Sequence, residues 1–214
     1  LTIAAVGACL SVALFGGACR QTQGRVPAQT AALAATTRPA APPTQPTPTA
    51  TPTPPSLKLP LVAPRIRISK SNRQLELYSD GRVVRAYAIA LGTNPSDDKE
   101  RQGDRRTPEG DFYVCMKNDR SQFYLSLGLS YPNEEDAARG LSAGLITRAQ
   151  HDRIVRAVRR KQRPPWDTAL GGEIMIHGGG TGSDWTWGCV ALANADIKEL
   201  FAAIPLGTPV RIEH

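Results

Sequence analysis

The sequence predicts a mainly β domain with α-helical insertions over residues 65–214, and three observations carry that expectation. Apolar and polar residues alternate over 65–68 and 74–78. An Asp80-Gly81 turn joins the second run to a third, 83–89. Helical periodicity is confined to residues 134–163 and to the stretch that starts near Asn194. Alternation with period two places one set of side chains on one face of a pleated strand, so runs such as Gln74-Leu75-Glu76-Leu77 bury their leucines and expose the rest. Asp-Gly supplies the two positive-φ positions of a tight hairpin turn, so 74–89 reads as a β-hairpin.

Further short strands are expected at 110–115, 123–127, 173–177 and 208–212, each punctuated by Gly or Pro, giving a mixed, mostly β sheet. The first helical stretch divides in two. Thr147 and Gln150 are spaced as a capping box at the start of its second, amphipathic piece. The second stretch sets Ile197, Leu200, Phe201 and Ile204 on one face and stops at Pro205 and Gly207, as a core-packing helix should.

Before residue 65 the texture is different. Residues 1–19 are apolar and small until Cys19, then polar, which reads as an export signal. In a lipoprotein-type signal Cys19 is the lipidated residue; a cleaved secretory signal and an uncleaved anchor are the alternatives. Residues 20–64, rich in Ala, Thr and Pro, hold almost no large apolar side chains and read as a disordered, semi-rigid spacer, with a proline-rich docking motif as the rival. The expected place of action is therefore the periplasm or cell envelope, with membrane attachment through the N-terminus.

A net charge of +7 invites a nucleic-acid reading, but residues 1–64 contribute four basic residues and no acidic one. The remainder holds 22 basic against 19 acidic, an excess of only three. No nucleic-acid partner is expected on that balance. The densest cluster, Arg153, Arg156, Arg159, Arg160, Lys161 and Arg163, has helical spacing; it is a solvated helix face or, more sharply, a contact for an anionic wall or lipid surface. Four cysteines, two of them in the apolar leader, build no disulfide framework. Cys115 lies in an alternating run and reads as a small buried hydrophobe, with a Cys115–Cys189 bridge as the alternative in an oxidising compartment.

Chemistry concentrates in residues 171–190. An apolar strand delivers His177 to a Gly-rich loop, and eleven residues later the chain reaches Gly188-Cys189, enough to turn back and bring the two side chains together. A thiol is mostly protonated at neutral pH, and a neighbouring imidazole can take its proton. Gly188, without Cβ, leaves the N–H groups of Trp187, Gly188 and Cys189 open to a developing oxyanion. Asp184 stands in the same loop, as a residue to orient His177 or to complete a site. Two ligands without a further Cys or His at zinc spacing give no metal site, and no cofactor is expected.

These residues resemble the L,D-transpeptidase catalytic domain (YkuD-like) family. The matching motifs are Ile176-His177-Gly178 and Thr186-Trp187-Gly188-Cys189, with support from Thr107-Pro108-Glu109-Gly110 and from the hairpin over 66–89; the likeness spans about 65–212. Residues 125–133 look like its periplasmic murein-modifying branch. The resemblance implies a mixed β-sandwich that acts on peptidoglycan stem peptides without metal or cofactor. In it Cys189 is the nucleophile, His177 the base and the Gly178 carbonyl the orienter of the imidazole. Two positions depart from the family pattern: Trp187 stands where many members have His, and Ala191 where many have Arg. Arg106 and Arg120 are then candidates to hold the substrate carboxylate, and Trp185 and Trp187 to wall a peptide or glycan groove. Transfer of the acyl group to an amine is the implied reaction. Hydrolysis of the same bonds, or a non-catalytic wall-binding module, are the alternatives.

Overall fold

The computed structural model describes residues 56–214. The export signal, Cys19 and the linker up to residue 55 lie outside the described residues. Eight strands and three helices follow in the order β1 (Arg65–Ser69), β2 (Gln74–Ser79), β3 (Arg82–Ala88), β4 (Gly110–Ser121), β5 (Tyr124–Leu129), α1 (Glu134–Ser142), α2 (Arg148–Arg159), β6 (Met175–His177), β7 (Val190–Ala191), α3 (Asn194–Ala203) and β8 (Pro209–Glu213). The eight strands form one mixed sheet in the order β3-β2-β1-β8-β4-β5-β6-β7. The β1–β8 and β6–β7 pairs are parallel and the others antiparallel. The sheet curls until its ends meet. Ala90 and Ala191 exchange N–H···O bonds of 2.9 and 2.8 Å, and Gly92 bridges Thr186.

The hairpin forms as its residues dictate, with Asp80 and Gly81 both at positive φ, 50° and 73°. Alternation then buries one face throughout. Ile66, Ile68, Leu75, Leu77, Val210 and Ile212 are at most 2% exposed, and α3 lays Ile197 and Leu200 against the same core. Each such side chain contributes about 1.5–3 kcal/mol by leaving water. A second, smaller cluster joins α1 and α2 through Ala137, Ile146, Ile154 and Leu170.

Some boundaries moved, each for a physical reason. β4 runs to Ser121 instead of ending at residue 115, because β8 pairs with its first half and β5 with its second. A register shift between Val114 and Met116 marks the change of partner, and Cys115 falls in it. Cys115 is accordingly half-buried and not a core residue, and both it and Cys189 are free thiols, so no bridge joins them. The strand expected from 173 begins only at Met175, since Glu173 holds a positive φ of 56°. A two-residue strand such as β7 is too short for period-two alternation to reveal. The expected box of Thr147 and Gln150 caps α2, and an unforeseen one, Asn133 with Asp136, caps α1.

Packing also begins before residue 65. Leu57 and Leu61 lie against the main core. Val62 N–H donates to Ser79 Oγ at 2.9 Å, and its carbonyl accepts from Asp80 N–H at 2.7 Å.

Candidate active site

Strand β6 carries His177 at its last position, paired across β5 with Ser126 and across β7 with Ala191. The imidazole is 2% exposed. It stacks on Phe123 (centroids 4.6 Å apart, planes at 24°) and meets the Trp185 ring edge-on at 5.5 Å. Its Nδ1 lies 2.6 Å from the Gly178 carbonyl. A carbonyl only accepts, so Nδ1 bears the hydrogen and Nε2 keeps its lone pair. Gly178 itself allows no side chain: a Cβ there would sit 2.5 Å from Asn194 Oδ1 and 2.8 Å from the Phe123 carbonyl oxygen. Asn194 at the start of α3 uses that same Oδ1 to accept from Gly179 N–H at 2.9 Å, which ties the loop after His177 to the helix.

Cys189 stands in the turn just before β7. It lies two residues before Ala191, the partner of His177, and the side chains of Cys189 and His177 line the same cavity of about 970 Å³. The turn before it is built by Thr186, whose Oγ1 donates to the Cys189 carbonyl at 2.7 Å and accepts from Gly188 N–H at 3.2 Å. Thr186 is in turn pinned to the far edge of the sheet, donating from N–H to the Leu91 carbonyl at 3.1 Å and accepting from Thr93 N–H at 3.0 Å. Gly188 adopts φ 124°, and a Cβ there would stand 2.6 Å from the Arg106 carbonyl oxygen. Glycine is required at that position by both backbone angle and space.

The Cys189 sulfur sits between two backbone groups at the entry to β6, 3.4 Å from the Glu173 carbonyl and 3.4 Å from Met175 N–H. No hydrogen bond joins it to His177 in this arrangement. Burial pushes the thiol up to about 11, with the Met175 N–H pulling the other way. Burial also lowers the His177 pKa below its usual value, outweighing the bond to Gly178. The resting pair is therefore a neutral thiol beside a neutral imidazole.

A family model for the L,D-transpeptidase catalytic domain, YkuD, matches residues 63–212. The chain belongs to that family. Among curated relatives it is 27% identical over 155 residues to YafK of Escherichia coli (strain K12), whose name carries the L,D-transpeptidase assignment as provisional. The match takes in 67% of this chain and 50% of the relative, so the chain spans about half the length of the curated relatives it matches. Among solved structures it is similar to the helical cell shape determining protein Pgp2 of Campylobacter jejuni. There the TM-score is 0.50 at 21% identity, covering 71% of this chain and 48% of that one, a likeness of fold alone. An L,D-transpeptidase of Xylanimonas cellulosilytica superposes with a TM-score of 0.44 at 20% identity, over 73% and 63% of the two chains.

Within this L,D-transpeptidase domain the expected residues divide. His177, Cys189, Trp185, Trp187 and Arg120 line one cavity. Trp185 is fixed by its Nε1 donating to the Gly180 carbonyl at 3.1 Å. Trp187 is 72% exposed with Arg105 lying 5.1 Å from its ring centre, so it forms a rim and not a packed wall. Arg106 does not line the cavity. Its guanidinium pairs with Asp97 at 3.1 Å and Glu100 at 3.3 Å, and it meets the site only through its backbone, behind Gly188. Asp184 does not orient His177; it pairs with Arg73 at 2.7 Å and accepts from Leu91 N–H at 2.8 Å. Of the three N–H groups expected for an oxyanion, that of Gly188 is engaged by Thr186.

Sequence reasoning passed over several cavity residues. Lys99 is 3% exposed, its Nζ held by Asp104 at 2.6 Å and by the Arg101 carbonyl at 3.0 Å, and it lines the cavity with Cys189. Phe123, Trp166 and Glu173 line it too. Asp104 gathers the loop behind Lys99 by accepting from the N–H groups of Glu100, Arg101 and Arg106. Burial alone would raise its pKa, but these bonds and Lys99 hold it below the usual carboxylate range. The Thr107 of the Thr-Pro motif serves the same loop, its Oγ1 accepting from Gly92 N–H at 3.1 Å. Among the described residues no group of three or more His, Cys, Asp or Glu is placed to hold a metal ion.

Proposed function

We propose that the domain is a peptidoglycan L,D-transpeptidase of the cell envelope, with Cys189 as nucleophile and His177 as general base. The observation that carries this reading is the shared cavity: His177 has Nδ1 committed to the Gly178 carbonyl, which leaves Nε2 as its proton acceptor in a cavity that a free thiol also lines. Sγ turns from the Glu173 carbonyl toward His177, gives its proton to Nε2, and attacks the amide carbonyl of the diamino acid residue of a stem tetrapeptide. The oxyanion is met by the N–H groups of Trp187 and Cys189. Collapse breaks the C–N bond, and the terminal D-Ala leaves with the proton from His177. An acceptor amine then attacks the thioester, His177 takes its proton, and the thiol is restored.

Substrate contacts follow from the cavity charges. Arg120 faces it with no ion pair among the described residues and takes the stem-peptide carboxylate in place of the Arg that Ala191 replaces, while Lys99, held by Asp104, adds positive charge from the cavity wall. Arg106, paired with two acids, does not. Phe123, Trp185 and Trp187 supply aromatic surface for the peptide.

Incubating the protein with purified muropeptides and resolving the products by mass spectrometry tests the reading. Cross-linked dimers with release of D-Ala are expected. Trimmed monomers alone would establish hydrolysis, and intact substrate together with sacculus binding would establish a binding module.

A further inference from the structure

We propose that an arginine-lined notch beside α2 is a second contact site for the wall, taking carboxylates of a neighbouring stem peptide while Cys189 works on another. The proposal rests on the peptidoglycan reading above and extends it from one peptide to two.

Arg153, Arg156 and Arg160 recur along one face of α2 and its C-cap, and Arg163 follows on the connecting segment. With Pro164 and Pro165 they line a notch of about 310 Å³. All four arginines are exposed. Arg159, one residue out of phase, is turned away onto Glu134 at 3.0 Å. Asp167 meets Arg153 at 3.2 Å, while Arg156 and Arg160 make no ion pair among the described residues. The negative end of the α2 dipole accounts for a cation or two in the last turn. It does not account for four arginines lining one concavity, of which Arg156 and Arg160 have no acidic partner among the described residues.

Position selects the anion. Arg163 lies 4.6 Å from the centre of the Trp166 ring, and Trp166 lines the catalytic cavity. Trp166 is pressed onto the backbone of Gly172, where a Cβ would fall 2.0 Å from the ring, and its Nε1 donates to the Tyr131 carbonyl at 3.1 Å. The notch and the cavity therefore adjoin through the Arg163–Trp166 contact, so a polymer engaged at Cys189 has its neighbouring segments close to the notch. Guanidinium pairs with carboxylate in a two-pronged geometry, and stem peptides present carboxylates repeatedly along a polymer. Two weak contacts on one polymer reinforce each other by raising the local concentration of the second.

The test compares the full chain with Arg156→Glu/Arg160→Glu and Arg156→Gln/Arg160→Gln in co-sedimentation with purified sacculi, and in turnover of a short soluble tetrapeptide. The Glu pair should lower sacculus binding by about tenfold or more and the Gln pair by less, both abolishing most of its salt dependence, with soluble turnover unchanged. Undiminished sacculus binding in both variants overturns the proposal, as does a parent chain that binds phosphatidylglycerol vesicles and not sacculi. Reduced soluble turnover in the Glu pair alone marks a folding defect, and the Gln pair then decides. Absence of soluble turnover in the parent defeats the catalytic reading while leaving the binding comparison readable.

Discussion

Two thiols invite comparison, one in the β4 bulge and one in the turn before β7. Cys115 and Cys189 are both half-buried, both free, and both pushed up to about 11 by burial. Acidity does not distinguish them. What distinguishes them is their surroundings. Cys115 occupies a bulge between two strand partners, whereas Cys189 follows a Thr186-built turn and shares a cavity with an imidazole whose free nitrogen is fixed. On the proposed reading a nucleophile is made here by placement, not by a depressed pKa.

The sharpest way to break this comparison is to remove each sulfur. Cys189→Ser should bring turnover of muropeptides below detection, a loss on the order of 10⁴ or more. His177→Gln should cost about 10²- to 10⁴-fold while leaving the circular dichroism spectrum intact. It should also remove the acid limb of the pH profile, which in the parent falls only below the ordinary histidine range because burial depresses the His177 pKa.

Alkylation by iodoacetamide sharpens the point. For a thiol raised to about 11, the thiolate fraction grows tenfold per pH unit up to that value. The Cys189 rate read by peptide mass spectrometry should therefore rise about a hundredfold from pH 7 to pH 9, without the plateau of a thiolate–imidazolium pair. Thr186→Val keeps the shape and removes both turn bonds, so about 1–2 kcal/mol of turn stability is lost and turnover should fall by roughly tenfold. Cys115→Ser closes the series at less than about twofold, within the range of substitutions that touch no special feature.

Residue pattern carried much of this molecule, and where it failed the failures share a cause. The hairpin and the box at Thr147 and Gln150 are local, with partners within a few residues, so spacing alone betrays them; the His177-Gly178 step and the Thr186 to Cys189 turn were legible through the resemblance to the family. Arg106 and Asp184 were misassigned because a charged residue next to a motif looks functional until its partner is known. Arg106 turns to Asp97 and Glu100, and Asp184 to Arg73, 111 residues away in the chain. Lys99 was missed for the converse reason, since a lysine among charged neighbours resembles a solvated loop and only the fold buries it beside Cys189. The Asn194 tie to Gly179 was equally hidden, as an Asn at a helix start ordinarily reads as a cap.

The meeting of the sheet ends at Ala90 and Ala191 has one more consequence. An unpaired outer strand is an invitation to other extended chains, including partly folded copies and peptides. Here β7 has β6 on one side and the chain after β3 on the other, so this edge of the sheet is already paired next to Cys189. On the proposed reading, a stem peptide therefore gains no docking by adding itself as a strand beside β7 and is recognised mainly through side chains. The same closure keeps this end of the sheet from recruiting its own kind.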